Sequence, residues 1–392
     1  MPCETHGPRW DAFFEELRVL EHQVRSQVGG EDLRHLRKME GWGRLCTALG
    51  YLTAWLAPNP LSAFCLAAGQ SARLLMGHHI LHGAYDRLPG VPQRYTSQRF
   101  GRGWRRYLDW FTWWKGEAWA NLHNNLHHPN TQDEYDVDVM DLAVLHGLPR
   151  PLRYVAFAVV SVSWKYTYYA PYMHGKLLER QRRIPHDPKQ TYHPGAFYDL
   201  RRPDTRALWL YAFLPYLLFQ FVLVPLLFLP LGTWAWLSVL CNVILGEVLH
   251  SLHGFSCIRP SHSAGDIPLF HQRPTCRHDF VVRQIHGTVN YTTGGDALSF
   301  ALFWCDHHIE HHLWPTMSLL GYRRMRPRLK ALCERYGVPY REEGMWRRCF
   351  QMARLFIGET SQRPISTQAL WRMDGAAERP LPSATAGMSS AL

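Results

Sequence analysis

Two long uncharged stretches organise the chain. Leu45–Ala72 carries no charged residue, and Ala207–Ile258 carries one, Glu247. A helix crossing the hydrocarbon needs about 20 apolar residues. The second stretch is interrupted by Pro230-Leu231-Gly232 and predicts two spans, near 208–229 and 233–253. Trp209, Tyr211, Trp234 and Trp236 fall near their ends, where interfacial aromatics belong. Pro58-Asn59-Pro60 divides the first stretch, which reads either as a tight hairpin, near 42–58 and 60–77, or as one long kinked span. Charge separates these. Residues 1–44 carry seven basic side chains (Arg9, Arg18, Arg25, Arg34, Arg37, Lys38 and Arg44), and the two turns carry none. The positive-inside rule then places both turns outside and both termini in the cytosol.

The expected fold is therefore all-α: a multi-pass membrane protein with about four transmembrane helices in two hairpins. A cytosolic helical cap, residues 78–206 and 254–358, would hold a His-rich di-metal site. The implied divisions are an amphipathic cytosolic segment at 1–44, a membrane domain at 45–358 and a disordered Ser-, Ala-, Pro- and Gly-rich tail at 359–392. Residues 11–38 pattern as one amphipathic helix. The apolar run Tyr154–Val162 is too short to span and predicts an interfacial or buried cap helix. No internal repeat is visible.

Composition refines this picture. The mean hydropathy of −0.26 is that of a membrane part combined with a large polar cap. Aromatics at 13%, including 16 Trp, exclude a disordered or coiled-coil chain. The net charge of +11 suits nucleic acid or an anionic membrane. The Arg residues are spread over the cap and form no nucleic-acid module, so anionic head groups and an acidic redox partner are the better expectation. The nine Cys contain no C-x-x-C pair, which argues against a disulfide framework and a Cys-type zinc site and favours a reducing compartment. No signal-peptide pattern opens the sequence.

Histidine carries the chemistry. Ten of the 23 His fall in three clusters: "GHHILHGAYD" with His78, His79 and His82, "HNNLHHPNTQDEYDVD" with His123, His127 and His128, and "DHHIEHHLWP" with His307, His308, His311 and His312. His250, His253 and His262 lie nearby in sequence. Imidazole is a good ligand for iron, copper or zinc. On a helix, i and i+4 share a face, so His78 can pair with His82, His123 with His127, and His308 with His311 or His312. Zinc takes four ligands at most in a structural site, so eight or more imidazoles point to two metals. Under the four-span topology every cluster falls on the cytosolic side. Asp136, Asp138, Asp306, Glu310 and Glu247 are near enough to orient ligand rings, or else to pair with Arg.

These three clusters resemble the histidine boxes of the membrane fatty acid desaturase family. The segment "RQIHGTVNYTTGGDALSFALFWCDHHIEHHLWPTM" is similar to bacterial members throughout. The resemblance runs from about Leu45 to Tyr340. It implies two non-haem iron ions, O2 as co-substrate and removal of hydrogen from an unactivated acyl chain. It also implies His78, His82, His123, His127, His128, His308, His311 and His312 as ligands, with His250 as the further ligand from the end of the fourth span. His79, His253, His262 and His307 are less certain metal candidates. His79 stands where members often carry Asp or Asn, and His308 where front-end desaturases usually show Gln.

The implied partners are a fatty acyl substrate (acyl-CoA, acyl carrier protein or lipid-linked), the bilayer and a separate electron donor, such as ferredoxin or a cytochrome b-type protein with its reductase. No nucleic acid is expected. Hydroxylation or acetylenation of an acyl chain uses the same boxes and is the alternative. A metal transporter would place ionisable residues inside its spans, where only Glu247 stands. His307–His311 matches the H-x-x-E-H protease pattern, but that reading ignores the other boxes. "HPGA" at His193–Ala196 resembles a haem-binding turn in a gap too short for a fused donor domain.

Overall fold

The computed structural model describes residues 7–139, 142–187, 199–292, 294–367 and 369–371. Helix α1 (Pro8–Ser26) opens on a proline and buries Trp10, Phe13, Leu17, Leu20 and Val24, an i, i+3, i+7 stripe. It stops at Gln27, and α2 (Gly30–Ala54) begins anew, with Asp32 Oδ2 accepting the Gly29 N–H at 2.9 Å. The single helix expected over 11–38 is thus two, because Gly29 and Gly30 break the first and Asp32 caps the second. No break falls at residue 44, so α2 runs unbroken from the polar segment into the first apolar stretch.

Pro58-Asn59-Pro60 makes a tight turn into α3 (Pro60–Leu81), so the first stretch is a hairpin. Asn59 Oδ1 accepts the Ser62 N–H at 2.8 Å, and Pro60 takes the first helical position. The two helices meet along a glycine seam: a Cβ on Gly43 would lie 2.3 Å from Ala72 Cβ, and one on Gly69 would lie 2.1 Å from Thr47 Oγ1.

Among the described residues, two helices are long and apolar enough to cross a membrane: α7 (Pro203–Leu231) and α8 (Thr233–Ile258). Helix α7 is irregular, with π turns at Trp209–Phe213 and Phe219–Leu223. These flank Pro215 and Pro225, which lack the N–H that a regular helix requires. Asn242, buried in α8, donates to the Ala54 and Ala57 carbonyls at 2.9 Å and accepts the Asn59 N–H at 2.9 Å. One polar side chain therefore ties the first turn to α8.

Between the hairpins lie α4 (Gly116–Leu122), α5 (Arg150–Trp164) and α6 (Ala170–Gln181). Helix α5 covers Tyr154–Val162 and exposes Leu152, Tyr154, Val155 and Val159. The C-terminal part adds α9 (Arg277–His286), α10 (His308–Leu313), α11 (Leu319–Tyr336) and α12 (Met345–Phe356). Strands are minimal. Two parallel pairs join β1 (Pro268–Phe270) to β4 (Arg363–Ile365) and β2 (Asn290–Tyr291) to β3 (Glu342–Glu343). The chain is mostly helical, as expected.

The composition of 359–392 predicts a disordered tail, but its first part is packed. Arg363–Ile365 pairs with β1, and the buried Trp371 sits edge-on to Trp10 at 4.6 Å. Residues 372–392 and His193–Ala196 lie outside the described residues. Among the described cysteines seven are free thiols. The core has two main parts. One is built around Trp110, Trp113, Trp114 and Trp119, and the other around α1, α9 and α11.

Candidate metal centre

The three boxes arrive from helices of both cores. His78 lies in the last turn of α3, and His82 caps it, its N–H donating to the His78 carbonyl at 3.2 Å. His123–His127 form a π turn at the end of α4, followed by Pro129 in a 3-10 turn. His308, His311 and His312 lie on α10. That short helix is entered through Phe303 and Trp304, two consecutive residues with φ of 54° and 59°. Left-handed backbone at bulky residues is costly and gathers at functional sites. Asn290 anchors the helix, accepting the Ile309 N–H at 2.8 Å and donating to Glu310 at 3.0 Å.

Two groups of imidazoles result. In the first, ring nitrogens of His78, His82, His123, His128 and His311 all lie within 4.8 Å of one another. Nε2–Nε2 separations are 2.8 Å for His78–His311, 3.1 Å for His128–His311 and 3.2 Å for His123–His128. In the second, the His308 and His312 Nε2 atoms are 3.1 Å apart. His127 lies 5.1 Å, ring to ring, from both His312 and His262, and His262 lies 5.3 Å from His308. The π turn shapes these contacts. It widens the turn by one residue, so the His123 Nε2 meets that of His128 at i+5. His127 keeps its ring 5.2 Å from that of His123, as the sequence paired them, with donor atoms of His123, His127 and Asp138 all within 4.8 Å, and it also faces His312 and His262.

Outer partners fix which nitrogen faces inward. His127 Nδ1 lies 2.8 Å from Asp136 and 3.4 Å from Asp138. His312 Nδ1 lies 2.9 Å from Gln284 Oε1 and 3.3 Å from Thr131 Oγ1. His311 Nδ1 lies 3.2 Å from Tyr322 Oη, whose own proton goes to the Trp314 carbonyl at 3.0 Å. Each of these Nδ1 atoms therefore carries the hydrogen, and each Nε2 presents a lone pair to the centre. The buried Nε2 atoms of His82 and His127 have no protein partner.

Lone pairs crowded this way repel unless a cation sits among them. Spacings near 3 Å are the polyhedron edges expected for nitrogens held about 2.1 Å from a metal. The donor set therefore fits transition-metal ions. Burial, reinforced by neighbouring imidazoles, holds His123, His128, His311, His312 and His262 well below the ordinary histidine range, and it pushes His308 down to about 3. Burial also acts to lower His127, but Asp136 and Asp138 outweigh it and its value is raised.

The sequence model for "Fatty acid desaturase" matches residues 51–344, most of the chain. The chain belongs to the fatty acid desaturase family. Among curated relatives, the "Probable Delta(5) fatty acid desaturase C" of Dictyostelium discoideum is 23% identical over 237 residues, 57% of this chain and 48% of that protein. The "NADPH-dependent stearoyl-CoA 9-desaturase" of Mycobacterium tuberculosis is 23% identical over 340 residues, 83% of this chain and 74% of its own length. "Fatty acid desaturase 3" of Bos taurus is 46% identical over 46 residues, 11% of this chain and 10% of that protein. The chain spans about half the length of the first of these.

Within this desaturase-family chain, five box histidines gather within 4.8 Å of one another, His127, His308 and His312 lie beside them, and His250 makes its contacts elsewhere. Helix α8 continues to Ile258, two turns past His250, which therefore sits inside the apolar helix with Nδ1 3.1 Å from Ser71 Oγ. His262, just beyond the helix, reaches the second group instead. Glu247 does not touch His250 either. It accepts from Lys165 Nζ at 2.6 Å, Trp113 Nε1 at 2.6 Å and Tyr216 Oη at 3.0 Å. Of the carboxylates expected to orient ligands, Asp136 and Asp138 lie against a ring of the two groups, that of His127.

Glu310 accepts from Asn290 and Tyr340, holding α10 in place, and Asp306 accepts from Ser299 and lies 2.9 Å from His307 Nδ1. His307 and Glu310 are thus bound to other partners, and no H-x-x-E-H site forms from them. His79 is buried 5.3 Å, ring to ring, from His311, and His253 Nδ1 meets Ser71 at 3.0 Å. Spacing gave no sign of Gln284, Tyr322 and Thr131, or of Trp119, whose indole lies 4.5 Å from His123 and 5.0 Å from His78.

Proposed function

We propose that this chain is a membrane-bound di-iron oxidoreductase that uses O2 and externally supplied electrons to introduce a double bond into a fatty acyl chain. The observation that carries the reading is the pair of buried imidazole groups with Nε2 lone pairs aimed inward. His78, His82, His123, His128 and His311 would hold one iron. His127, His262, His308 and His312 would hold the other, with His262 in the place first expected for His250.

When bound, the irons supply the O2 chemistry that breaks an unactivated C–H bond, beyond the reach of any side-chain acid or base. The protein's own part is positional. Asp136 keeps the hydrogen on His127 Nδ1, Gln284 does so for His312 and Tyr322 for His311, so that no ring turns away. Trp119 packs over His78 and His123 and keeps bulk water from that side.

In this reading α2, α3, α7 and α8 all cross the bilayer as two hairpins, with both termini and the boxes on the cytosolic side. An acyl chain could then enter from the lipid while the metals stay at the aqueous edge. The mycobacterial relative's name specifies stearoyl-CoA, which makes an acyl-CoA the first substrate to try, ahead of carrier-protein or lipid-linked chains. A separate ferredoxin or cytochrome b-type protein with its reductase would supply electrons.

Expression in a host lacking the activity, followed by mass spectrometry of its acyl chains, tests the reaction. A new double bond is expected, and a hydroxylated product alone would overturn desaturation. Active protein should contain about two irons per chain, and one metal per active chain would overturn the di-metal centre.

A further inference from the structure

Between the α2–α3 hairpin and residues 94–109 lies a cavity of 290 Å3 whose wall carries Arg44, Arg73 and Arg94. Its charge is unbalanced. Arg44 and Arg94 share a single carboxylate, Glu40, at 2.6 and 2.9 Å, and Tyr95 Oη donates to the same group. Asp109, the other acid on the wall, is already paired with Arg105 at 2.8 Å. Arg73 donates to Thr47 Oγ1 at 3.2 Å, and among the described residues it has no ion pair. A neutral hydroxyl does not balance the charge of this half-buried guanidinium.

The surroundings identify what else must fit. Helix α2 exposes Leu45, Leu49 and Leu52 in one stripe beside the cavity, and the adjoining segment exposes Trp104, Tyr107 and Leu108. Apolar residues on a helix face beside an aromatic rim are the pattern of acyl chains meeting an interface.

We propose that this cavity binds the phosphate head group of an anionic phospholipid, with Arg73 at its floor, Arg44 and Arg94 at its mouth, and the lipid's chains along the exposed face of α2. Arginine forks match phosphate oxygens two at a time, and basic pockets between membrane helices are suited to such head groups. None of the residues used here belongs to the histidine groups. The inference rests on the reading that the α2–α3 hairpin is embedded in the bilayer.

Purified full-length, iron-loaded protein in neutral detergent should be titrated separately with dioctanoyl phosphatidylglycerol, dioctanoyl phosphatidylcholine and inorganic phosphate, with binding read by native mass spectrometry and thermal shift. Phosphatidylglycerol should bind at least tenfold more tightly than phosphatidylcholine. Arg73→Gln should abolish that preference with iron content unchanged, and Arg73→Lys should retain part of it. Equal binding of the two lipids, an equal shift from inorganic phosphate, or an unaltered preference in Arg73→Gln would overturn the assignment. If Arg73→Gln does not fold, Arg94→Gln, on the segment outside the helices, carries the same test. Labelling of Leu49→Cys with a membrane-impermeant maleimide in vesicles reports separately on embedding, since a reactive thiol there would overturn the hairpin reading instead.

Discussion

Three imidazoles of the centre, His127, His311 and His312, divide their two nitrogens between an outer hydrogen bond and an inner lone pair. Asp136 shows what the outer bond is worth. Asp136→Asn can offer His127 an N–H where a carboxylate stood, so iron affinity should fall about 10- to 100-fold by competition with a chelator while the fold is kept. The ninth ligand separates two neighbouring histidines: His262→Ala should lower iron towards one equivalent, and His250→Ala should leave iron content near that of the parent. Loss of iron in the second variant alone would reverse the assignment made here. Proton competition gives a third expectation. Burial, aided by neighbouring His127 and His79, holds His308 at about 3 against an ordinary 6.5, so below pH 6.5 the unfolded chain takes up protons that the folded chain refuses. Metal-free protein should therefore lose stability as pH falls from 6.5 towards 3, measured by thermal denaturation. His127 runs the other way, because its raised value favours the folded state at low pH, but it is one group against many.

Helices are held together here by polar residues in apolar settings. Lys165, from a π turn after α5, and Glu247 of α8 are both buried and joined at 2.6 Å, with Trp113 and Tyr216 donating to the same carboxylate. Removing one partner of such a pair leaves a buried charge. Glu247→Gln should then destabilise the protein by about 3–5 kcal/mol, seen as a lower denaturation midpoint in detergent, while Lys165→Met combined with Glu247→Leu should recover much of it. The sequence marked Glu247 as exceptional, the only charge in a long apolar stretch, but not its partner. Lys165 lies 82 positions away, and nothing local to it announces a pairing. Periodicity likewise located α3 and α8 but not their ends. Helix α8 runs on to Ile258, past the span end expected near 253, so His250 lies within the helix and His262 just beyond it. Between His123 and His127 the i, i+4 pairing holds, and the π turn adds a contact that regular spacing does not predict, His123 with His128 at i+5.

At the scale of the molecule, the two hairpins and the cap make one topological statement. With both hairpins spanning, single cysteines at Asn59 and Gly232 should react with impermeant reagents from the side opposite the termini. External labelling of the N-terminus would overturn the four-span assignment. The sequence by itself determined the helical class, the hairpin turn at Pro58-Asn59-Pro60, the eight box histidines and the family they belong to. These depend on residue type, short-range spacing and the length of apolar runs, all of which are local. Tertiary structure alone decided which of those histidines lie together, the placement of His262 beside His308, the contacts of Gln284, Tyr322 and Trp119 with the box rings, and the packing of the chain as far as Trp371. Each of these depends on which side chains meet across long sequence separations, a quantity fixed by the closing of the core and written in no single segment.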